Sequence, residues 1–275
     1  MLFRSPIKEQ NRIVEKIEQI LPLVDRYDEA WSKLEAFNQK FPEGMKKSIL
    51  QQALSGKLVD QKAEDGTAEE LYAQIQVQKK RQIAEKKIKS IKPFAQIKED
   101  EIPFDIPESW RWVHVGDIFT HSAGKALNSK NTEGTKLPYI TTSNLYWNRF
   151  ELDSLREMHY KDSELEKCTA HKGDLLVCEG GDVGRAAIWP YDYDIRIQNH
   201  IHKLTPIGNL NVMYFYYCFY LYKHMGLIGG KGIGIQGLSS NALASIVFPL
   251  PPVQEQNRIV ERIEELLTLC NRLIK

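Results

Sequence analysis

The 275-residue sequence lacks long hydrophobic runs, closely paired cysteines and an excess of charge of one sign. These features would have indicated a membrane protein, a disulfide-rich or zinc-binding protein, or a strongly charged nucleic-acid-binding protein. No apolar run approaches the roughly 18 residues of a transmembrane helix, and the N-terminus lacks the apolar segment of a signal peptide, so we expect a cytoplasmic protein. None of the four cysteines forms a Cys-x-x-Cys pair, which argues against a disulfide framework or a zinc site. The 37 basic and 36 acidic residues nearly cancel, and net charge therefore gives no sign of a nucleic-acid partner.

Recognisable catalytic motifs are also missing. Residues 232–237 match Gly-x-Gly-x-x-Gly, but no strand is predicted before them and no acidic residue follows at the spacing of a dinucleotide site. Asp174 and Glu179 lack the lysine of a nuclease metal site, and His200 and His202 have no third ligand. We therefore predict no catalytic residue, no metal and no cofactor.

Charge is distributed unevenly along the chain. Residues 79–98 contain eight Lys or Arg and one acid, and residues 201–250 contain three Lys and no acid. Acidic residues concentrate between positions 151 and 194. The basic run is either a solvated helix face or a stripe that faces phosphates, and the sequence leaves both interpretations open.

A repeated segment stands near both ends of the chain. Residues 6–21 match residues 252–267 at 11 of 16 positions, with an offset of 246 residues. In both copies a proline precedes an acidic first turn and an apolar periodicity, which is typical of a helix start. One structural unit is therefore present twice, with a different region between the copies.

The apolar spacing within both copies alternates between four and three residues, as in a coiled coil. An amphipathic helix packed on its own domain would give a similar pattern, but a seam of four heptads in matching phase favours a coiled-coil pair. Pro22 should kink or restart the first helix. The predicted coiled-coil interface consists of Ile13, Ile17, Ile20, Val24, Tyr27, Trp31, Leu34, Ile259, Ile263 and Leu266.

The rest of the N-terminal third is also predicted to be helical. The Phe-Pro-Glu-Gly sequence at 41–44 should break the first helix, and a second helix should cover 45–54 and end at Gly56. Thr67 and Glu70 form a capping-box pattern that opens a third helix, whose C-terminal half would carry the basic run.

The amino-acid composition changes after Pro93, where prolines, aromatic residues and glycines replace the helical pattern. Short alternating or apolar segments predict strands, and an aromatic-rich segment at 212–225 predicts a buried helix. The middle of the chain is therefore an α+β region. Its predicted strands are 110–116, 139–143, 174–178, 186–189, 200–204 and 245–252.

Four segments together resemble the DNA-specificity subunit of type I restriction–modification enzymes, in a half-length or truncated form with one target recognition domain. They are Met-Lys-Lys-Ser-Ile-Leu-Gln-Gln-Ala-Leu-Ser-Gly-Lys-Leu at 45–58, Ile-Pro-Glu-Ser-Trp-Arg-Trp-Val-His-Val-Gly-Asp-Ile at 106–118, Lys-Gly-Asp-Leu-Leu-Val at 172–177 and Pro-Pro-Val-Gln-Glu-Gln-Asn-Arg-Ile-Val at 251–260.

The resemblance implies one α/β target recognition domain flanked by long coiled-coil-forming helices. The expected domains are a helical spacer at 1–98, the recognition domain at 99–250 and the start of a second helical region at 251–275. The implied partners are double-stranded DNA, methyltransferase subunits, a restriction or translocase subunit, and either a second copy of the chain or another specificity chain, with no membrane. The chain itself would be non-catalytic.

Polar residues in the predicted loops are the candidates for DNA contact, because Asn, Gln, Lys and Arg read base edges and Ser and Thr contact the backbone. They fall on one predicted loop, on a segment after a strand, at the entry of another strand, and on the glycine-rich loop at 226–237. The candidates are Lys125, Asn128, Lys130, Thr141, Thr142, Ser143, Asn144, Tyr146, Arg149, Gln198, Asn199, His200, Lys231 and Gln236.

Two other classes of function remain open from the sequence. One is a stand-alone endonuclease or methyltransferase with an unrecognised site, which would bind a metal or S-adenosylmethionine. The other is an inactive oligomerisation fragment, which would show no salt-dependent DNA binding.

Overall fold

A computed structural model describes residues 6–90, 92–127, 132–228 and 238–273. The described residues form an α+β structure, as expected, and none of their helices combines the length and hydropathy needed to cross a bilayer. The helices are α1 (Ile7–Leu54), α2 (Ala68–Ala84), α3 (Val115–Ile118), α4 (Asp162–Cys168), α5 (Val212–His224), α6 (Ser240–Ser245) and α7 (Val253–Leu273). The strands are β1 (Arg111–His114), β2 (Phe119–Ala123), β3 (Thr135–Ile140), β4 (Leu145–Tyr146), β5 (Arg149–Phe150), β6 (Arg156–Tyr160), β7 (Thr169–Ala170), β8 (Leu175–Cys178), β9 (Ala186–Ile188), β10 (Ile195–Ile197), β11 (Ile201–Pro206) and β12 (Val247–Leu250).

The chain divides into two compact units. The smaller comprises the described parts of Met1–Lys46 and Leu267–Lys275, and the larger comprises those of Lys47–Leu266. These units group residues by packing, and their limits differ from the boundaries expected at 98 and 250. The boundaries expected from the sequence modules therefore stay a prediction.

The N-terminal helix is longer than predicted. We expected Pro22 to kink or restart it and residues 41–44 to break it, but α1 is assigned as one helix of 48 residues with Pro22 and Pro42 inside it. The expectation of a separate helix at 45–54 was therefore wrong, although the end at Leu54 was right. A proline removes one backbone hydrogen bond, and the surrounding Glu, Gln, Lys and Leu residues are strong helix formers that carry the helix on.

Two local signals place the ends of helices as predicted. Gly56 follows α1 with φ of +70°, and a Cβ there would lie 2.3 Å from Pro107 Cγ, so both backbone conformation and space require glycine. Thr67 accepts from the Glu70 N–H and the Glu70 carboxylate accepts from the Thr67 N–H, which completes the predicted capping box of α2. Because α2 ends at Ala84, only the first part of the basic run is helical, contrary to expectation.

Two four-stranded sheets form the centre of the larger unit. One has the order β2-β11-β8-β9 and is antiparallel throughout. The other has the order β6-β3-β10-β7, in which β3 and β10 are parallel. Their buried aliphatic residues pack around Trp189, and the aromatic helix α5 is buried from Tyr214 to Tyr222, as the sequence predicted.

A two-stranded ladder joins the start and the end of the middle region. β1 pairs antiparallel with β12, and Arg111 lies opposite Leu250 in the register. Since β1 follows α2 and β12 precedes α7, this pairing places the first and last strands of the middle region side by side.

Candidate nucleic-acid interface

Three polar segments of the larger unit are joined by hydrogen bonds where strands end. Arg185 Nη2 donates to the Thr142 carbonyl oxygen at 2.6 Å. The Glu179 N–H donates to the His200 carbonyl oxygen at 2.9 Å. These bonds connect loops that are distant in sequence into one surface, which we name the loop cluster and define as residues 141–149, 179–185 and 198–200.

Asn144 organises the first of these segments from within. Its Oδ1 accepts from both the N–H and the Oγ1 of Thr141, each at 2.9 Å, and its Nδ2 donates to the Glu151 carbonyl oxygen at 3.0 Å. Ser143 Oγ lies 2.7 Å from Thr141 Oγ1 and is exposed. Asn144 therefore holds the turn closed, while Ser143 faces solvent beside it.

Two arginines lie against one tyrosine ring in the loop cluster. The guanidinium of Arg149 lies 4.7 Å from the Tyr146 ring centroid, and that of Arg185 lies 5.2 Å from it. Arg149 is 63% exposed and pairs with Glu151 at 3.1 Å. The Tyr146 ring and the Glu151 carboxylate thus orient a cation that remains accessible to a polyanion.

The turn between β8 and β9 is tightly built. Gly184 has φ of +83°, and a Cβ there would lie 2.5 Å from Ile228 Cγ2, which explains the glycine. Asp182 pairs with Lys223 at 3.0 Å and lies 3.9 Å from Arg185. The carboxylate therefore neutralises cations contributed by the turn itself and by the end of α5.

The third segment is fixed by its backbone. The Gln198 N–H donates to the Ile140 carbonyl oxygen at 3.0 Å, and the Asn199 N–H donates to that of Lys125 at 3.0 Å. His200 is exposed and its Nδ1 lies 3.3 Å from the Glu179 carboxylate. These bonds leave the side chains of Gln198 and Asn199 half-buried at the edge of the loop cluster.

Lys125 contributes its backbone to this edge but not its side chain. Its Nζ lies 2.5 Å from the Glu164 carboxylate and donates to the His159 carbonyl oxygen at 2.8 Å, and the side chain is 10% exposed. The Lys125 ammonium therefore ties α4 to β6, and it is not free to meet a phosphate.

The structure brings most of the predicted DNA-contact residues together. Loop 141–149 carries six of them, and the turn 198–200 carries the other three. The residues in the loop cluster are Thr141, Thr142, Ser143, Asn144, Tyr146, Arg149, Gln198, Asn199 and His200. Four predicted residues lie outside the described residues, namely Asn128, Lys130, Lys231 and Gln236.

Sequence reasoning missed Arg185, Lys223 and Trp147 at this surface. Arg185 directly follows the sequence Gly-Gly-Asp-Val-Gly at 180–184, a turn signal that could have drawn attention to it. Trp147 packs its ring 4.9 Å from the Tyr220 ring, which fixes the tip of the β4–β5 hairpin on α5. That contact links residues 73 positions apart, and no local signal reveals it.

The paired strands β2 and β11 bring together two histidines, the half-buried His121 and the buried His202. His202 Nε2 donates to the Leu238 carbonyl oxygen at 2.5 Å, so the neutral ring accepts at Nδ1 from His121 Nε2 at 2.9 Å. Burial, assisted by the neighbouring His202, lowers the pKa of His121 to about 4. Burial also lowers the pKa of His202. Both rings are thus held neutral.

The basic run borders a separate cavity of about 690 Å³ between α2, the segment after it and β1. Lys79 Nζ donates to the Gly116 carbonyl oxygen at 2.7 Å and lies 3.7 Å from the Asp117 carboxylate, and burial lowers the pKa of Lys79. This cation therefore has a structural partner. The basic residues that line the cavity are Lys79, Lys80, Lys92 and Arg111.

No group of three or more His, Cys, Asp or Glu residues that could hold a metal ion occurs within 6–90, 92–127, 132–228 and 238–273. The loop cluster itself offers a ligand an exposed serine hydroxyl and an exposed arginine guanidinium.

The family described as "Type I restriction modification DNA specificity domain" matches residues 107–275. The chain belongs to this family. The match begins just before β1 and includes both central sheets, the loop cluster and α7.

Curated relatives of this specificity-domain chain include two from Escherichia coli. The type I restriction enzyme EcoAI specificity subunit is 25% identical over 98% of the chain and 53% of its own length. The EcoEI specificity subunit is 24% identical over 84% of the chain and 41% of its own length. The chain therefore spans about half the length of these relatives.

This chain also matches about half the length of two solved structures of similar fold. The crystal structure of the HsdS subunit from Thermoanaerobacter tengcongensis has a TM-score of 0.51 at 21% identity, covering 98% of this chain and 54% of that one. A chain described under "Structural basis underlying complex assembly and conformational transition of the type I R-M system" has a TM-score of 0.55 at 19% identity, with the same coverage. These likenesses show a shared fold.

The predicted coiled-coil residues of this specificity-domain chain differ between the two repeat copies. The seven on α1, from Ile13 to Leu34, are between 44% and 67% exposed. Ile259 and Ile263 on α7 are fully buried, and Leu266 is half-buried. The α7 positions are thus already covered within the chain, while the α1 positions form an exposed apolar stripe.

Proposed function

We propose that the chain is the DNA sequence-specificity component of a type I restriction–modification system, and that its loop cluster reads one half of a bipartite target. The observation that carries this proposal is the meeting of nine polar candidate residues on one surface of a specificity domain. Such side chains supply the hydrogen bonds by which base edges and phosphates are recognised.

The chain would contribute recognition and assembly rather than chemistry. Methyltransferase subunits and a restriction or translocase subunit would dock on its helices, and the exposed apolar stripe of α1 supports such docking because large contiguous apolar patches mark interaction sites. The modification and cleavage reactions would then take place on those partners.

Titration of duplex DNA with the full chain tests the recognition role. Arg149→Ala should weaken binding by about 1–3 kcal/mol if Arg149 contacts a base. If it contacts a phosphate, the substitution should weaken binding to all sequences alike and reduce the salt slope by about one unit.

Arg262→Ala is the matched control, because Arg262 is an exposed arginine on α7 whose partner is Glu265, and it lies outside both the loop cluster and the basic run at 79–98. It should leave both binding and its salt dependence unchanged. Equal effects of the two substitutions, or DNA binding without salt dependence, would contradict the placement of the DNA face.

Docking is tested separately by copurification with the methyltransferase subunit from the same system. A complex that survives gel filtration, and that places adenine methylation at a defined sequence when the two proteins are expressed together, is the expected result. Methylation by the partner without this chain would contradict the assigned role.

A further inference from the structure

Arg185 occupies a position at which one side chain can hold two segments of the loop cluster together. It ends the turn 179–185 and directly precedes β9. Its backbone is fixed on both sides, since the Arg185 N–H donates to the Asp182 carbonyl oxygen and its carbonyl oxygen accepts from the Cys178 N–H at 2.8 Å. The side chain thus starts from a rigid base and is only 17% exposed.

The guanidinium connects this rigid turn to the loop that carries most of the candidate base-reading residues. Nη2 donates to the Thr142 carbonyl oxygen at 2.6 Å, and the group lies 5.2 Å from the Tyr146 ring centroid. Nη1 lies 3.9 Å from the Asp182 carboxylate, which anchors the other side. The hairpin end of loop 141–149 is already joined to β9 by the Asn148 N–H, which donates to the Ala186 carbonyl oxygen at 3.1 Å. The Arg185 guanidinium adds the side-chain link that holds the 142–146 part of the loop to the turn.

Only arginine can make these contacts together. A lysine ammonium would keep the charge, but it cannot stack on a ring while it donates in two fixed directions.

We propose that Arg185 is a positioning residue that determines sequence discrimination by holding loop 141–149 in register with the rest of the loop cluster. This inference rests on the proposed function. Base recognition needs hydrogen bonds of fixed direction, whereas phosphate attraction tolerates displacement. Loss of the Arg185 contacts therefore reduces discrimination between sequences and leaves non-specific binding intact.

The test compares Arg185→Lys with the wild-type full chain, using the duplex that the wild type selects from a random pool and a scrambled duplex of the same length. Arg185→Lys should reduce the affinity ratio between the two duplexes by about tenfold or more, with non-specific affinity changed by less than about twofold and the salt slope unchanged. Amide hydrogen exchange at 141–146 should become faster in the free variant. Arg262→Lys, on α7, is the charge-conserving control and should change none of these quantities.

An unchanged ratio together with unchanged exchange would overturn the proposal. A parallel loss of specific and non-specific binding would also overturn it, since that is the signature of a direct phosphate contact. If the wild type selects no sequence at all, the proposed function fails, and the proposed role of Arg185 in discrimination fails with it. Hydrogen exchange would still report on whether Arg185 holds the loop, so the two failures are distinguishable.

Discussion

At the scale of single residues, the loop cluster contains a residue whose type suits base recognition but whose side-chain hydrogen bonds are all made with residues nearby in the sequence. Asn144 has the side chain that pairs well with adenine, yet all its polar atoms are engaged with Thr141 and Glu151. Ser143 and Arg149 on the same loop are exposed and better placed to meet a ligand. Residue type therefore predicts which side chains could bind a base, and the hydrogen bonds within the protein determine which of them are free to do so.

The histidine pair makes the stability of the larger unit sensitive to acid. Both His121 and His202 have lowered pKa values in the folded chain, so the unfolded chain takes up protons first as the pH falls below about 6.5. The free energy of unfolding should therefore fall between about pH 6.5 and the pKa of His121, which is about 4. The slope is at most about 1.4 kcal/mol per pH unit for each proton, and urea denaturation at constant ionic strength measures it.

His121→Gln provides the comparison, because its amide nitrogen can still donate to His202 Nδ1 without titrating. The variant should lose stability less steeply on the acid side, and the two proteins should respond in parallel above about pH 7. The same acid slope in both proteins would show that His121 is not responsible.

At the scale of elements, the two copies of the repeat have similar sequences but differ in solvent exposure. Ile13 and Ile17 in the first copy correspond to Ile259 and Ile263 in the second, and the first pair is about half exposed whereas the second is fully buried. In the second copy, the Glu255 carboxylate accepts from Trp110 Nε1 at 2.9 Å. The start of α7 is therefore part of the core of the larger unit.

Equivalent substitutions in the two copies should have unequal effects on stability. Ile263→Ala should lower the free energy of unfolding by about 2–5 kcal/mol, since it leaves a cavity in a packed core. Ile17→Ala should change it by less than about 0.5 kcal/mol when measured at dilute concentration. Thermal denaturation of both variants checks this, and similar losses would mean that residues 6–21 are covered in solution.

Local signals in the sequence predicted local structure well. The capping box at Thr67, the glycine after α1 and the buried aromatic helix α5 were all confirmed, because each depends on residues within one or two turns. The continuity of α1 through Pro22 was not predicted, since the rule that proline ends helices ignores the strength of the flanking helix formers.

Contacts between residues that are distant in the sequence could not be predicted in the same way. The parallel pairing of β3 with β10 and the contact of Arg185 with Thr142 join residues more than 40 positions apart. No periodicity in the sequence encodes such pairings. The candidate site could therefore be predicted as a set of loops, while the residue that joins two of them could not.

The basic run at residues 79–98, which begins within α2, can be tested for a structural or a phosphate-facing role. Arg81 and Lys87 both pair with Glu85, and Lys79 is held by the Gly116 carbonyl oxygen, which favours a structural role. The double substitution Lys80→Gln and Lys92→Gln should therefore leave the salt slope of DNA binding unchanged. A decrease of about two units would instead place the run on phosphates.

At the scale of the whole molecule, the exposed stripe on α1 predicts association. Ile13→Asp with Ile17→Asp should abolish self-association or partner docking, because a charge buried without a partner at an interface costs several kcal/mol. Sedimentation velocity of the double variant measures this. Val77→Asp is the control, since Val77 is 69% exposed on α2 and lies outside the stripe. Unchanged sedimentation of the double variant would argue against the stripe as an interface.

The final prediction concerns the symmetry of the DNA target. Under the proposed function, a chain with one loop cluster would read one half of a split site, and two copies related by a closed two-fold axis would present identical readers in opposite directions. Identical readers in that arrangement require identical inverted half-sites, so the target should be an interrupted palindrome. Single-molecule sequencing of DNA from a host that expresses only this chain and a methyltransferase subunit checks it. An asymmetric bipartite motif would instead require a second, different specificity chain, because two identical loop clusters cannot prefer two different half-sites.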